Sequence, residues 1–429
     1  MRAALLGLLA AGACSVGVCP AASADMITPK SAPAFRDSVG VVTHIVYYDT
    51  AYADWDRVVA RLNELGVRHV REGVYANPAP QWRDWNEAYY RAVELAAARG
   101  IRFTFGLNPP GRGTGSVDQI LQVVAGRLRH AAEALEAPNE MDKYVGGPRW
   151  PSVLSAYGRA LHRKAKATRS LRALPILGPS FATPDGPSRV GNQRAWLDVG
   201  NIHPYTGGLS PNPRYVKAEL ARAGVTAPNR PVWATEAGFH NALKSPRADH
   251  APVSEAAGAV YILRTFLEHF RGGIRRTFAY ELLDEQPDPS GRLAEQHFGL
   301  LRNDFSRKPA FVALRNMLTV VGREGGRPRL RPLGIEVLGR KGDVRKLVLQ
   351  KADGSYVVAL WRLASVWDRD RRRPLSVAPR RIAVRLPGAR RVMVADPVRS
   401  ARERRLRLRH GAVRTQLGAR PLLLRVLPR

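Results

Sequence analysis

The sequence predicts an α/β protein, a (β/α)8 TIM barrel followed by a small C-terminal antiparallel β-sandwich domain. Three observations lead there. Between residues 38 and 322, short β-like runs alternate with amphipathic helical segments in eight units, the pattern of parallel strands joined by helical crossovers. No glycine-rich phosphate loop follows the first strand, where residues 45–50 read Ile-Val-Tyr-Tyr-Asp-Thr, and this disfavours the rival doubly wound open sheet. Over residues 323–429 the texture changes to short alternating runs such as 345–350, 356–361 and 381–386, with the turn signal Asp353-Gly354, as expected of an antiparallel sandwich.

The elements follow in order. The first strand is 39–45, and the helix after it carries Trp55, Val58, Val59, Leu62 and Leu65 at helical spacing before Gly66 stops it. Strand two is 67–71, with a helix over 84–99 ending at Gly100; strand three is 101–107, with a helix over 117–128. The fourth strand carries Glu140, and a helix over 152–166 leads to strand five at 174–178. A short helix near 193–197 precedes strand six at 199–203, and a helix over 215–223 precedes strand seven, which carries Glu236. A long helix over 254–270, strand eight at 277–282 and a last helix over 309–321 complete the barrel.

Residues 1–24 are set apart as a secretory signal, because a basic start, an apolar run too short to span a bilayer and the small-residue pattern Ala22-Ser23-Ala24 follow one another. The expected destination is secreted and extracellular; an acylated lipoprotein with Cys14 as the modified residue is the lesser alternative. Both cysteines, Cys14 and Cys19, fall in this segment, so the mature chain has no disulfide and no cysteine metal site. Residues 25–37 read as a linker, and no other stretch is long and apolar enough for a transmembrane segment.

The 429 residues carry a formal net charge of +32, a field that attracts anions such as nucleic acid or an anionic cell-surface polymer. The basic residues are mostly arginines scattered along the chain, the signature of compositional bias, and specific nucleic-acid recognition is not expected.

Two glutamates end short apolar runs: Glu140 in 134–142 and Glu236 in 231–239. A charged side chain is costly in a core, so a carboxylate at the tip of a buried strand belongs where a ligand reaches it. With Asn139-Glu140 on the fourth strand and Glu236 on the seventh, the chain resembles the clan A glycoside hydrolases, most closely families 39 and 5. The resemblance covers residues 38 to about 321. It implies a poly- or oligosaccharide substrate, a retaining double displacement, no cofactor and no metal. It further implies that Glu140 is the acid/base and Glu236 the nucleophile, that Arg71 and Tyr205 hold the nucleophile, and that Asn139 meets the sugar 2-hydroxyl. His44 and His203 are expected to contact the sugar or the catalytic partners.

This division of labour has a chemical reason, since one carboxylic acid must protonate the leaving oxygen while one carboxylate attacks the anomeric carbon. Repulsion and burial are expected to raise the acid's pKa, while a cation and hydrogen bonds keep the nucleophile ionised. Where the clan usually places an aromatic platform after strand eight, this chain has Tyr280, followed by Glu281, Asp284 and Glu285, which cap the loop or bind a cation or substrate. Trp82, Trp85 and Trp150 are candidate sugar platforms or core residues. The competing function is a non-catalytic surface protein that binds acidic glycan or cell-wall polymer through its basic field; a transglycosylase would use the same two glutamates.

Overall fold

The computed structural model describes residues 24–108, 115–246, 250–322, 326–339 and 342–429. Of the expected secretion signal only Ala24 falls within these, so that reading, with Cys14 and Cys19, lies outside the described residues.

Eight parallel strands form the barrel: β1 Val39–Val42, β2 His69–Gly73, β3 Arg102–Gly106, β4 Ala132–Glu136, β5 Ile176–Leu177, β6 Gly200–Ile202, β7 Val232–Gly238 and β8 Arg276–Tyr280. They lie side by side in the order β5-β4-β3-β2-β1-β8-β7-β6. The ring closes through the two shortest strands, where Leu177 bridges Val199 in parallel and the Gly178 amide donates to the Val199 carbonyl at 2.8 Å. At the mouth β7 and β8 run so close that a Cβ on Gly238 would collide with the Tyr280 carbonyl, so only glycine fits there.

Local chemistry sets the crossovers. The helix Trp55–Leu65 starts at Asp54, whose side chain accepts from the Arg57 amide at 3.2 Å, and ends at Gly66 with φ of 80°. It buries Val58, Val59, Leu62 and Leu65 against the barrel. Ser116 and Gln119 form a reciprocal capping box that opens the helix Val117–Gly126. The helix Pro309–Val321 matches its expected span.

Three expectations are corrected. No helix forms at 193–197, because Gln193 uses its side chain to accept from Trp196 Nε1 at 2.7 Å and to donate to the Val190 carbonyl at 2.8 Å; the helical turn lies earlier, at Gly186–Val190. β4 ends at Glu136, so Glu140 stands in the following loop, with φ 40° and ψ 50°, rather than at the strand tip. Residues 25–37 are not a linker. Met26–Ile27 pairs antiparallel with Leu333–Gly334, Lys30–Ser31 pairs parallel with Leu349 and Gln350, and Ser31 caps a helix over Ala32–Asp37.

The C-terminal region is a sandwich of a six-stranded and a four-stranded sheet, with Ile335, Val358, Leu360, Val384, Val413 and Leu424 buried between them. It is fastened to the barrel helix Glu255–Gly272. Fully buried Arg264 donates to the carbonyls of Ala364 at 2.7 Å and Ala419 at 2.6 Å, and Trp361 Nε1 donates to Glu268 at 2.9 Å.

Candidate active site

A cavity of about 530 Å³ opens at the C-terminal ends of the barrel strands, the end where such barrels carry their chemistry. His44, Arg71, Asn139, Glu140, Tyr205, Glu236 and Tyr280 all line it. Seven of the eight residues expected from the sequence therefore share one cleft, although they come from six different strand ends. The eighth, His203, is covered: its side chain is 1% exposed and sits behind Glu140. A sugar cannot reach it, which corrects its assignment as a substrate contact and leaves it as a partner of the carboxylates.

Glu236, in β7, is held on both oxygens. Arg71 Nη1 donates to Oε1 at 2.5 Å, and the Tyr205 hydroxyl donates to Oε2 at 2.7 Å. Burial disfavours a charged guanidinium, but the Glu136 and Glu236 carboxylates outweigh it and raise the pKa of Arg71, so the cation persists at every working pH. Burial, then the Glu236 charge, raises Tyr205 well above the ordinary phenol value and keeps its hydroxyl a donor.

Glu140 has different company. Its Oε1 lies 2.8 Å from His203 Nδ1, while His203 Nε2 lies 3.0 Å from Thr235 Oγ1. Both ring nitrogens thus have acceptors in front of them, an arrangement that suits the doubly protonated imidazolium. Burial lowers the pKa of His203, but the carboxylates of Glu236 and Glu140 reverse this and the net shift is upward. For Glu140 burial raises the pKa, yet the hydrogen bond from His203 prevails and the net shift is downward. This departs from the expectation that repulsion and burial raise the acid's pKa: the proton belongs to a Glu140–His203 pair and rests on the imidazole side.

Glu136, fully buried at the end of β4, was not singled out from the sequence. It accepts from Arg71 Nε at 2.8 Å and Nη2 at 2.9 Å, from Asn201 Nδ2 at 2.9 Å and from Thr235 Oγ1 at 3.1 Å. The signal was available, since it is another carboxylate within the apolar run that leads to Glu140. Asn139 Oδ1 is taken up inside the protein, accepting from Arg71 Nη2 at 2.8 Å and Ser180 Oγ at 3.2 Å, which leaves its amide nitrogen as the group able to meet a ligand. Glu72, next to Arg71 and also overlooked, accepts from Thr43 Oγ1 at 2.6 Å and from the Ile45 amide at 2.8 Å.

Tyr280 forms an aromatic wall with Tyr205 and Phe298, ring centroids 6.2 and 5.2 Å away, and its hydroxyl reaches Glu295 at 3.4 Å. His44 stacks on Tyr47 at 4.6 Å. The tryptophans do not serve this cleft. Trp150 is buried against Met141, Leu154 and Phe181, while Trp82 and Trp85 gather around Tyr48 outside the cleft lining.

No family model and no curated protein matches the sequence. Solved structures do match its shape. The GH39 enzyme of Xanthomonas axonopodis pv. citri superposes with a TM-score of 0.59 over 94% of this chain and 96% of that one, at 16% identity. The chain has the fold of that glycoside hydrolase. A monomeric beta-xylosidase from Caulobacter crescentus CB15 gives the same TM-score of 0.59 over 95% of this chain and 98% of its own, at 15% identity. Both likenesses span barrel and sandwich together, so the two-part architecture is shared as a whole. Among the described residues no helix is long and apolar enough to cross a membrane.

Proposed function

We propose that this chain is a secreted glycoside hydrolase that cleaves O-glycosidic bonds in a poly- or oligosaccharide with retention of configuration. The observation that carries the reading is the carboxylate pair: oxygens of Glu140 and Glu236 come within 4.8 Å of each other, Glu236 held by Arg71 and Tyr205 and Glu140 paired with the proton-carrying His203. Retaining glycosidases hold their two carboxyl groups about 5 Å apart, whereas inverting ones leave roughly 6.5–9.5 Å for a water between them.

In the proposed reaction the Glu236 carboxylate, aimed by Arg71 and Tyr205, attacks the anomeric carbon. The departing oxygen takes the proton of the Glu140–His203 pair through Glu140. In the second half, Glu140 receives a proton from water as that water displaces Glu236 from the sugar, and the pair is restored. Burial of Glu136 and Arg71 beneath the site keeps water from loosening the nucleophile's support.

The test is release of product from a panel of aryl glycosides and neutral and acidic polysaccharides, with an aryl β-xyloside first because one structural relative carries that activity in its name. Release by the parent protein and none by Glu236→Ala is the expected result. Silence on every glycan, with salt-sensitive retention of acidic ones by both proteins, would replace the hydrolase by a binding protein.

A further inference from the structure

The β8 side of the cleft holds a second convergence of donors that the proposed hydrolysis leaves unused. His44, just past β1, places Nε2 3.6 Å from Glu281 Oε2 and 3.9 Å from Glu285 Oε1, and the three atoms all lie within 4.8 Å of one another. Two of these residues carry orphaned polar atoms. His44 Nε2 is enclosed and has no hydrogen-bond partner, and neither has Oε1 of Glu281, a residue with 0% exposure. Buried polar atoms are seldom left unsatisfied, and those that are call for an explanation such as an ion.

The charges around the cluster sharpen the point. The lysine near the loop after β8, Lys308, is engaged by Asp284 at 2.8 Å and by the His297 carbonyl at 3.1 Å. Arg71, across the cleft, is shared by Glu136 and Glu236. Neither Lys308 nor Arg71 is thus free to answer Glu281 and Glu285, in a chain whose net charge is +32. A small cation held by all three side chains would answer the charge and engage the orphaned imidazole nitrogen together.

We infer that His44, Glu281 and Glu285 form a binding site for one first-row divalent cation in the wall of the cleft, with Zn²⁺ as the probe. One imidazole nitrogen and two carboxylate oxygens are a donor set such ions accept. Two donors bound at about 2.1 Å with a tetrahedral angle between them stand roughly 3.4 Å apart, so the observed 3.6 and 3.9 Å need only small closure. The Tyr52 hydroxyl, 2.8 Å from Glu281 Oε2, already orients that ligand from outside. Three protein donors leave a position open for water or another ligand, and one of the three residues, His44, also lines the cavity. The assignment goes beyond the hydrolase reading and does not depend on it.

The experiment is calorimetric titration of ZnCl₂ into the chelator-treated full chain and three variants. The parent should bind one equivalent. His44→Ala and Glu285→Gln should each weaken binding by at least about 100-fold, since each removes a direct ligand. Glu140→Gln should bind like the parent, within about threefold; it probes the other His/Glu convergence, Glu140, His203 and Glu236, whose side chains are already engaged by Arg71, Tyr205 and Thr235. Because the parent titration needs no variant to fold, absence of binding there overturns the site by itself. Binding lost in Glu140→Gln but unchanged in Glu285→Gln would overturn it too, by moving the ion to the catalytic pair.

Discussion

Arg71 and Glu236 are joined by a 2.5 Å hydrogen bond from Nη1 to Oε1, and the rest of the same guanidinium is clamped by Glu136 at 2.8 and 2.9 Å. One cation therefore serves two carboxylates, one buried and permanent, the other facing the cleft. Glu136 fixes the plane of the guanidinium, and that plane fixes where Glu236 can point. A bidentate fork of this kind is something arginine supplies and lysine does not.

Glu136→Gln tests that relay. The variant keeps the shape but removes the charge on one arm, and hydrogen bonds to charged groups are worth about 1.5–3 kcal/mol. If that support acts only through the geometry of Glu236, kcat should fall roughly 10- to 150-fold. KM should stay within about threefold, because Glu136 lies beneath the cleft and is not among its lining residues. A KM rise with unchanged kcat would show that Glu136 shapes substrate binding instead.

The two cleft carboxylates should separate chemically. Glu236→Ala is expected to abolish turnover and to recover it with azide, giving a glycosyl azide of inverted configuration. Glu140→Ala should lose about 10²- to 10⁴-fold on natural substrates while sparing activated aryl leaving groups that need no proton. An azide product of retained configuration from Glu236→Ala would exchange or void the two roles.

The barrel was legible because its signal is periodic: apolar spacing, a glycine stop at Gly66 and carboxylates ending apolar runs are properties of local sequence. Arg71, Tyr205 and both glutamates were legible by position along the strands. What stayed hidden depends on distance across the barrel. Nothing local tells that Glu136 of β4 meets Arg71 of β2, or that His203 lies behind Glu140 rather than beside the sugar. The strands over Met26–Ile27 and Lys30–Ser31 were hidden for the same reason, since two-residue strands have no period and form only because partners over 300 residues away present an edge.

The alkaline limb of the pH profile should belong to the Glu140–His203 pair. The pKa of His203 is raised above the ordinary imidazole value of about 6.5, so the pair keeps its proton beyond that pH and loses it as pH rises through the raised value. Turnover of substrates with poor leaving groups should fall over that same interval. His203→Gln removes the imidazolium and leaves the proton to a carboxyl group alone, which should move the limb down by about one pH unit. An unmoved limb would assign it to another group.

At the opposite end of the barrel, His69 links two elements through its ring: Nε2 lies 2.9 Å from Asp37 Oδ1 and Nδ1 lies 2.7 Å from Glu133 Oε2. Burial lowers its pKa, but the bonds from Asp37 and Glu133 outweigh this and the net shift is upward. A histidine whose folded pKa exceeds its unfolded one contributes stability that is complete below about pH 6.5 and disappears as pH rises through the folded value. His69→Asn should therefore cost about 1–2 kcal/mol in urea denaturation at pH 6, and distinctly less at pH 9. The value is held at the low end because Asp37 is 61% exposed and water screens its share. The proposed hydrolysis, per folded molecule, should not change, because this face of a barrel bears on stability while the chemistry sits at the other. An equal loss of stability at both pH values would mean that His69 acts by packing alone and that its two carboxylate contacts carry no net charge interaction.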